Sequence, residues 1–345
     1  MTNEAKKKAG INLGVVGATG VVGETFLNLI EERDFPAGEI RLFASESSLG
    51  KTRKCLDREI SLQVLKEGCF DGLDLVFFSS GDDISKEWAP KAKAAGAFAV
   101  DNSAAFRMDD AYPLVVPEVN GDLLPKPGSP TIIANPNCST IQLVVALAPL
   151  LQRFGLKNVR VASYQSVSGA GRDGIEELFQ TTRLALEAEE ITTSKIFPQP
   201  IAFNTVPQIG RIGDDGFCTE ETKIMNETCK ILRQPKLPVS AFTVRVPTLN
   251  SHAEAVWVTL EKEVGLSEVE NALSTAPGVE FSRPDQSPAY PTQKMASGTD
   301  PVYVGRLHRD RNDPYTWLMW VVSDNLRKGA ALNGIQIAER IFDLN

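Results

Sequence analysis

Short apolar runs alternate with longer amphipathic stretches along the first 136 residues. The run that starts at Ile11 leads through glycines into a helical pattern. Further apolar runs fall at 39–45, 73–81, 97–103 and 131–135. A second helix is predicted around 84–96, and the Gly- and Pro-rich segment 121–130 indicates a loop. Strands that alternate with helices predict a doubly wound parallel sheet.

Beyond residue 137 the pattern changes to stretches in which apolar and polar residues alternate. Three such stretches lie at 157–169, 241–250 and 253–261. They predict an antiparallel sheet, with a helix at 173–189 between the first two strands. A further helix is predicted at 266–276, and an amphipathic helix at 326–344 closes the chain.

The change of pattern predicts two domains. We expect an α/β domain at 1–136 and an α+β domain at 137–324, with the last helix, within 325–345, returning to the first domain. The length of 345 residues agrees with this division, because chains of this size usually form more than one core.

The composition narrows the classes of partner. There are 36 basic and 44 acidic residues, and the net charge of −8 argues against nucleic acid as the main partner. The sequence contains no run of 18 apolar residues, so no membrane span is predicted. The polar N-terminus shows no targeting pattern, and a cytoplasmic protein is expected. Five scattered cysteines without a CxxC pair, and only two histidines, indicate reduced thiols and no metal site.

Glycines recur at every third position from 14 to 23, between the first strand and the first helix. This context predicts a Rossmann-type dinucleotide-binding loop, where glycines let the backbone approach a pyrophosphate. The spacing is GxxGxxG, and a glycine turn without a ligand is the alternative. After the second strand, Glu46 favours NAD. The hydroxyl and basic groups that favour NADP are Ser47, Ser48, Lys51 and Arg53.

The polar heptad ANPNCST, residues 134–140, places Cys138 at a predicted helix start. Ser139 and Thr140 are suitable N-cap or first-turn residues, and Pro149 is expected to end or bend the helix. A helix N-terminus stabilises a thiolate, so Cys138 is a candidate nucleophile. A small core residue is the alternative.

Other polar residues stand on or beside otherwise apolar strands. They are Arg107, Gln165, Ser168, Arg245 and His252. A lone histidine is more often a surface or satisfied core residue than a functional one. In TEETK, Glu220 and Lys223 are three apart on one helical face, which by itself favours a solvated helix start.

Together the motifs resemble those of bacterial and plant-type aspartate-semialdehyde dehydrogenases. Nine motifs occur in the same order as in the family and span nearly the whole chain. They are GATGVVG, DNSAAFRMD, PLVVPEVN, ANPNCST, YQSVSGAG, AFN, EETK, RVPTLNSHAE and LRKGAALN. The cysteine context differs from the SCTTN-like run of glyceraldehyde-3-phosphate dehydrogenase. The resemblance implies a Rossmann-type dinucleotide-binding domain and a catalytic and dimerisation domain of the glyceraldehyde-3-phosphate dehydrogenase-like type.

The resemblance also implies an NADP-dependent oxidoreductase. It would reversibly convert L-aspartyl 4-phosphate and NADPH to L-aspartate 4-semialdehyde and phosphate, on the route to lysine (through diaminopimelate), threonine and methionine. In this interpretation Cys138 forms a thioester, His252 is the general acid/base and Gln165 orients the substrate. Asn137 would help to bind the developing oxyanion.

Binding residues are implied in the same way. Arg245 would hold the α-carboxylate and Glu220 would face the α-ammonium, which replaces the solvated interpretation of this glutamate. Arg107 and Lys223 would bind the phosphate. The cofactor would contact Gly17, Thr19, Gly20, Val21, Val22, Gly23, Ser45, Ser47, Ser48, Ser168, Gly169 and Asn325.

One position departs from the family pattern. The family usually has an arginine in ASxRSxGK, where it clamps the adenosine phosphate of NADP, but this chain has Ser47 in ASESSLGK. NADP is expected, with NAD as the alternative.

Two other functions are alternatives. N-acetyl-γ-glutamyl-phosphate reductase uses similar acyl-phosphate chemistry, but its substrate has no free ammonium for Glu220. A non-catalytic nucleotide-binding homologue would lack the cysteine or the histidine, and both are present. The β-rich second domain predicts a homodimer, with a tetramer as the alternative.

Overall fold

The computed structural model describes residues 10–187, 194–283, 285–287 and 289–344. The chain divides into two compact units, Met1–Pro136 with Ala330–Asn345, and Asn137–Gly329. The second junction thus lies slightly later than the expected residue 324. The N-terminal nonapeptide and the last two residues of the predicted helix 173–189 lie outside the described residues.

Helices occur in both units. They are α1 (Val21–Glu32), α2 (Asp82–Ala94), α3 (Pro117–Asn120), α4 (Cys138–Phe154), α5 (Gly171–Leu186), α6 (Thr219–Ile231), α7 (Leu266–Ser274), α8 (Gln293–Ala296) and α9 (Leu332–Ile341). The predicted helix at 326–344 begins instead with a π-helical turn at Arg327–Ala331 and is α-helical only from Leu332.

The first unit contains a seven-stranded sheet. Its strands are β1 (Ile11–Val16), β2 (Ala37–Phe43), β3 (Thr52–Cys55), β4 (Arg58–Gln63), β5 (Leu75–Phe78), β6 (Phe98–Asp101) and β7 (Ile132–Ala134). The order is β3-β4-β2-β1-β5-β6-β7, and neighbours are parallel except β3 with β4. The predicted parallel sheet is confirmed. The sequence patterns missed β3 and β4, because charged residues interrupt their apolar positions.

The last helix packs into the core of this first unit. Ile335 and Ile341 of α9 are buried in the same cluster as Phe26 and Phe77. A Cβ on Gly334 would lie 2.6 Å from Cε2 of Phe77, so the helix can approach that ring only with glycine at this position.

The second unit contains a six-stranded mixed sheet. Its strands are β8 (Leu156–Gln165), β9 (Val239–Arg245), β10 (His252–Leu260), β11 (Val279–Phe281), β12 (Val302–Arg309) and β13 (Thr316–Ser323), in the order β11-β12-β13-β10-β8-β9. The prediction of an antiparallel sheet is wrong in part, since β8 pairs with β9, and β11 with β12, in parallel. The long connection through α5 and α6 allows β8 and β9 to run the same way.

Helix α4 covers one face of this sheet, with α7 packed against it. The helix continues through Pro149 to Phe154, so of the two expected effects of Pro149, an end or a bend, the end does not occur. Proline removes one backbone hydrogen bond, but buried apolar residues on both sides of it, among them Leu147 and Leu150, keep the segment helical against the core.

A buried carboxyl group lies on the covered face of the sheet. Glu254 of β10 is fully buried, and neither of its carboxyl oxygens has a hydrogen-bond partner of ordinary geometry among the described residues. Burial raises the pKa of Glu254 to about 8, while the nearby Gln142 acts in the opposite direction. The side chain is therefore mainly protonated at neutral pH.

This carboxyl predicts a pH dependence of stability. The unfolded chain releases the Glu254 proton above about pH 4.5, whereas the folded protein keeps it up to about pH 8. The stability that the protonated Glu254 contributes is therefore lost as the pH rises from about 4.5 through about 8. Burial, followed by the charge of Arg245, lowers the pKa of His252 to about 3. This histidine makes stability rise with pH, but only up to the ordinary pKa of 6.5, above which the unfolded chain also holds it neutral. Between about pH 6.5 and 8, therefore, stability changes with pH because of Glu254 and not because of His252.

In the wild type we expect the free energy of unfolding to fall by about 2 kcal/mol between about pH 6.5 and 8. In Glu254→Gln this fall should be absent, because the amide does not titrate. Urea titrations of both proteins at these two pH values measure the difference. An equal fall in the wild type and the variant would contradict the raised pKa.

Candidate active site

Four polar side chains form one row across the second sheet, near the ends of adjacent strands. The register pairs Gln165 with Arg245 on one side and with His252 on the other, and pairs His252 with Ser323. All four are buried, and Gln142 of α4 accepts a hydrogen bond from Ser323 Oγ at 2.8 Å. The row therefore faces α4, and the predicted residues Gln165, Arg245 and His252 lie together.

Cys138 is the first residue of α4 and is half-buried. The N-cap is Asn137, whose Oδ1 accepts hydrogen bonds from the backbone N–H groups of Ser139 at 3.0 Å and Thr140 at 3.1 Å. Ser139 and Thr140 are thus first-turn residues, not the cap. A Cβ on Gly329 would lie 3.0 Å from Cβ of Cys138, so the Gly329 backbone packs directly against the cysteine.

The imidazole of His252 is oriented by the turn that follows β8. The backbone N–H of Ser166 donates to Nδ1 at 3.1 Å, which leaves the proton of the neutral ring on Nε2. Nε2 is buried without a hydrogen-bond partner among the described residues. Burial and the charge of Arg245 lower the pKa of His252 to about 3. The site therefore presents a neutral imidazole with an available N–H donor.

Arg245 and His252 are both approached by the backbone of Gly169. A Cβ on Gly169 would lie 2.8 Å from Nη1 of Arg245 and 3.2 Å from Nε2 of His252. Nη1 of Arg245 donates to the carbonyl oxygen of Ser166 at 2.7 Å. Burial lowers the pKa of Arg245, while negative charge on Glu220 and Cys138 acts in the opposite direction. The guanidinium is thus within electrostatic reach of the candidate nucleophile.

A hydrogen-bonded network of hydroxyl and amide groups lies behind the histidine. Ser166 Oγ and Ser168 Oγ are each 3.1 Å from Asn325 Oδ1, which also accepts from the Ser251 N–H at 2.8 Å. The predicted residues Ser168 and Asn325 therefore contact each other. Ser166 and Ser251 were not among the predicted residues, although the polar run SVSG beside β8 is a usable signal for Ser166.

Helix α6 supplies the acidic side of the site. Glu220 is buried, and its Oε1 accepts a hydrogen bond from Nδ2 of Asn137 at 2.8 Å. Nζ of Lys223 lies 3.5 Å from the other oxygen of Glu220. The solvated helix start favoured by the pattern alone is thus wrong for Glu220. The amide of Asn137 is engaged at both ends, as cap and as donor to Glu220.

Arg107 belongs to the first unit, where it follows β6. Its Nε donates to the carbonyl oxygen of Asn135 at 3.0 Å and its Nη2 to that of Asn102 at 2.9 Å. The side chain is buried, and these carbonyl groups fix the direction of its guanidinium.

The glycine loop joins β1 to α1. Gly17 has a φ of +85°, and a Cβ on Gly23 would lie 2.3 Å from the carbonyl oxygen of Gly17, so both positions require glycine. Gly20 is the N-cap of α1 and brings no side chain over the first N–H groups of the helix. This open, backbone-lined helix start fits a pyrophosphate. The other loop positions implicated by the sequence are Thr19, Val21 and Val22.

The segment after β2 contains the positions that the sequence predicts to bear on cofactor choice. Oγ of Ser45 and Oγ of Ser47 are 2.9 Å apart, and Ser48 is buried. Arg53 of β3 forms an ion pair with Glu24 in the first turn of α1. A basic group therefore stands beside the helix that begins at the glycine loop.

The described residues contain neither a membrane-spanning helix nor a metal-binding cluster. Among them there is no helix long and apolar enough to cross a membrane. The same part of the chain contains no group of three or more His, Cys, Asp or Glu side chains arranged to hold a metal ion.

Comparison with known proteins covers both units. Residues 12–126 match the family model described as the NAD binding domain of semialdehyde dehydrogenase, and residues 147–328 match its dimerisation domain. The aspartate-semialdehyde dehydrogenase of Aquifex aeolicus is 46% identical over 331 residues, which is 96% of this chain and 97% of the relative. That of Bacillus subtilis is 41% identical over 97% of this chain and 99% of its own length.

Solved structures agree with the relatives. Aspartate-semialdehyde dehydrogenase II of Vibrio cholerae, complexed with ASA, has a TM-score of 0.91 and 41% identity, with 96% of this chain and 98% of that chain covered. The Candida albicans enzyme with NADP has a TM-score of 0.74 and 26% identity, with the same coverage.

These matches name one family, and not N-acetyl-γ-glutamyl-phosphate reductase. The motifs around Cys138 and His252 lie within the matched length. The chain belongs to the aspartate-semialdehyde dehydrogenase family, whose members are oxidoreductases with a Rossmann-type domain for a nicotinamide dinucleotide.

Proposed function

We propose that this chain catalyses the reversible reductive dephosphorylation of L-aspartyl 4-phosphate to L-aspartate 4-semialdehyde, with NADPH as the hydride donor. The observation that carries the proposal is the row of Arg245, Gln165 and His252, which faces the helix that begins with Cys138. A nucleophile, a proton donor and a carboxylate-binding guanidinium thus belong to one unit. Family membership supports the same assignment.

Cys138 is the proposed nucleophile. Its sulfur attacks the C4 carbonyl, the C–S bond forms, and the bond to the phosphate oxygen breaks with its electron pair leaving on phosphate. The nicotinamide, when bound, supplies the hydride that reduces the thioester. The C–S bond of the resulting thiohemiacetal then breaks, which releases the aldehyde and returns the thiolate.

His252 is the proposed proton donor and acceptor. Because its Nδ1 accepts from the Ser166 N–H, the ring offers the Nε2 proton to the oxygen on which charge develops. The same nitrogen recovers the proton when the aldehyde carbonyl forms again. The neutral ring suits this role, since it needs no prior protonation. Gln165, next to His252 in register, is proposed to orient the reacting carbon.

The charged ends of the substrate are assigned to four residues. Arg245 is proposed for the α-carboxylate and Glu220 for the α-ammonium. Arg107 and Lys223 are proposed for the phosphate. Asn137 is proposed to position Cys138 through its contacts with the helix cap and Glu220, and to help bind the oxyanion with the second proton of its Nδ2.

We expect Cys138→Ala to lower kcat by about 10³-fold or more, because no other group can form the acyl intermediate. The assay follows NADP reduction with aspartate semialdehyde and phosphate. Cys229→Ala, at a half-buried cysteine of α6, is the matched control and should retain activity. Turnover without phosphate, or full activity of the Cys138 variant, would refute the mechanism.

NADP is proposed as the preferred cofactor, with its pyrophosphate on the glycine loop. Ser168, Gly169 and Asn325 are proposed for the nicotinamide end. At the adenosine end Ser47 cannot supply the charge of the usual arginine, and the basic groups Lys51 and Arg53 are proposed to compensate.

We expect Ser47→Arg to raise the ratio of kcat/KM for NADP to that for NAD by about tenfold, since the guanidinium adds one charge-assisted contact to the phosphate. Leu49→Arg, at an exposed position two residues away, controls for added charge. An equal rise in both variants would count against Ser47 as the determinant. A tenfold preference of the wild type for NAD would reject the NADP proposal.

A homodimer is proposed through the open face of the second sheet. Strand alternation places the half-exposed Trp257 and Trp320 and the exposed Tyr164 and Phe242 on the face opposite α4. Part of this face forms a groove of about 610 Å³. Large aromatic patches of this kind mark association surfaces. A cytoplasmic location and a tetramer stay predictions.

We expect Phe242→Asp to shift the protein from dimer to monomer at micromolar concentration, because it buries a charge in the proposed interface. Light scattering coupled to size-exclusion chromatography measures the mass. Leu266→Asp, on an exposed position of α7, is the control and should leave the mass unchanged. A monomeric wild type, or a dimeric Phe242 variant, would contradict the proposed interface.

A further inference from the structure

Gln293 of α8 bonds to the backbone directly ahead of two residues of the proposed mechanism. Its Nε2 donates to the carbonyl oxygen of Tyr164 at 3.0 Å and to that of Ser251 at 2.8 Å. Tyr164 immediately precedes Gln165, and Ser251 immediately precedes His252. One side-chain amide therefore bridges the end of β8 and the start of β10, where these two residues are paired in register.

The chemistry of the acceptors fixes the orientation of this amide. Both are peptide carbonyl oxygens, which only accept hydrogen bonds, so the nitrogen of Gln293 and not its oxygen must face them. The nitrogen carries two protons, and a third acceptor, Oγ1 of Thr248 at 3.0 Å, shares one of them. A side chain of the same length without a donor could not make these contacts.

Ser251 has a backbone conformation that needs such support. Its φ is +68°, in the left-handed region that is unfavourable for a residue with a Cβ. A conformation of this kind persists where the surroundings hold it in place. Oδ1 of Asn325 accepts from the Ser251 N–H at 2.8 Å, and Gln293 donates to the Ser251 carbonyl oxygen. The direction in which the chain enters His252 thus depends on these two amides.

Helix α8 holds Gln293 on the side of the sheet away from α4. Ala296 of this helix is buried in one cluster with Ala253, the second residue of β10. Side chains alternate along a strand, so Ala253 points away from the polar row that faces α4. Nε1 of Trp320 donates to the carbonyl oxygen of Pro291 at 3.1 Å, which anchors the segment leading into α8. Gln293 therefore supports the polar row through its backbone, from behind the sheet.

We propose that Gln293 is a positioning residue for His252 and Gln165. By binding the peptide oxygen ahead of each, its amide fixes the Nε2 proton of His252 relative to the side chain of Gln165. Displacement of a reacting group by about 1 Å can lower a rate by about 10²-fold, so the support bears directly on turnover. The inference rests on the proposed function, in which His252 transfers the proton. Gln293 itself lies outside the nine family motifs.

The first readout is steady-state kinetics. Gln293→Met keeps the length of the side chain but removes the donor. We expect it to lower kcat by about tenfold, while KM for aspartate semialdehyde changes by less than about threefold. Gln293→Lys restores a donor of similar reach, and its kcat should stay within about threefold of the wild-type value. Lys294→Met, at the exposed next position of α8, is the matched control and should retain full activity.

The second readout is the imidazole of His252, followed by ¹⁵N NMR of the full-length protein labelled at histidine. The chain has two histidines, and His308→Gln assigns their signals. Nδ1 of His252 accepts from the Ser166 N–H, so the wild type should show one tautomer with its proton on Nε2. In Gln293→Met the shifts of Nδ1 and Nε2 should move towards each other, because the loosened ring also samples the other tautomer. Lys294→Met should leave both shifts in place.

The mass of each variant is measured by light scattering, because Gln293 also lines the groove proposed for dimer contact. An unchanged kcat or unchanged His252 shifts in Gln293→Met would overturn the proposal. A loss of activity that accompanies loss of the dimer, or that Gln293→Lys does not reverse, would overturn it as well. If the methionine variant fails to fold, Gln293→Glu, of the same length and without a donor, replaces it.

The NMR measurement needs no turnover. A wild type that is inactive towards aspartate semialdehyde would therefore reject the proposed function, while the effect of Gln293 on the His252 ring could still be measured.

Discussion

The register between β8, β9 and β10 is the constraint on which the site depends. It aligns Gln165 with both Arg245 and His252 on the face that α4 covers. A slip of one residue would turn each of these side chains to the opposite face. The buried apolar residues further along the same strands, among them Val161 and Val256, hold the register because they would be exposed by such a slip. The core of the second unit thereby positions its chemistry.

The second unit also buries several polar side chains in its sheet. The row next to the site contains Thr243, Ser163 and Glu254 in register, where a core would ordinarily be apolar. Keeping Glu254 protonated and His252 neutral avoids charges that the interior cannot solvate. The arrangement lowers stability, and it leaves the proton on Nε2 of His252 available to a ligand.

The candidate site of the first unit uses backbone groups, whereas that of the second unit uses side chains. Its glycine loop offers backbone N–H groups at the start of α1, and the contacts of Gly17 and Gly23 leave no room for side chains. Such a site is encoded by the absence of side chains and depends on one local turn. It could therefore be predicted from a short motif. The ion pair of Arg53 with Glu24 joins residues that are distant in the sequence, and it could not be predicted in this way.

Local sequence alone determined the parallel sheet of the first unit, the glycine loop and the helix start at Cys138, because each depends on periodicity or on residues adjacent in the chain. The family motifs added the roles proposed for Arg245 and His252. Only the tertiary structure decided that β8 and β9 run in parallel, that Asn137 is the cap, and that Gln293 bonds to the backbone ahead of His252. These features join residues that are distant in sequence, and alternation patterns contain no information about which strand or helix becomes the neighbour.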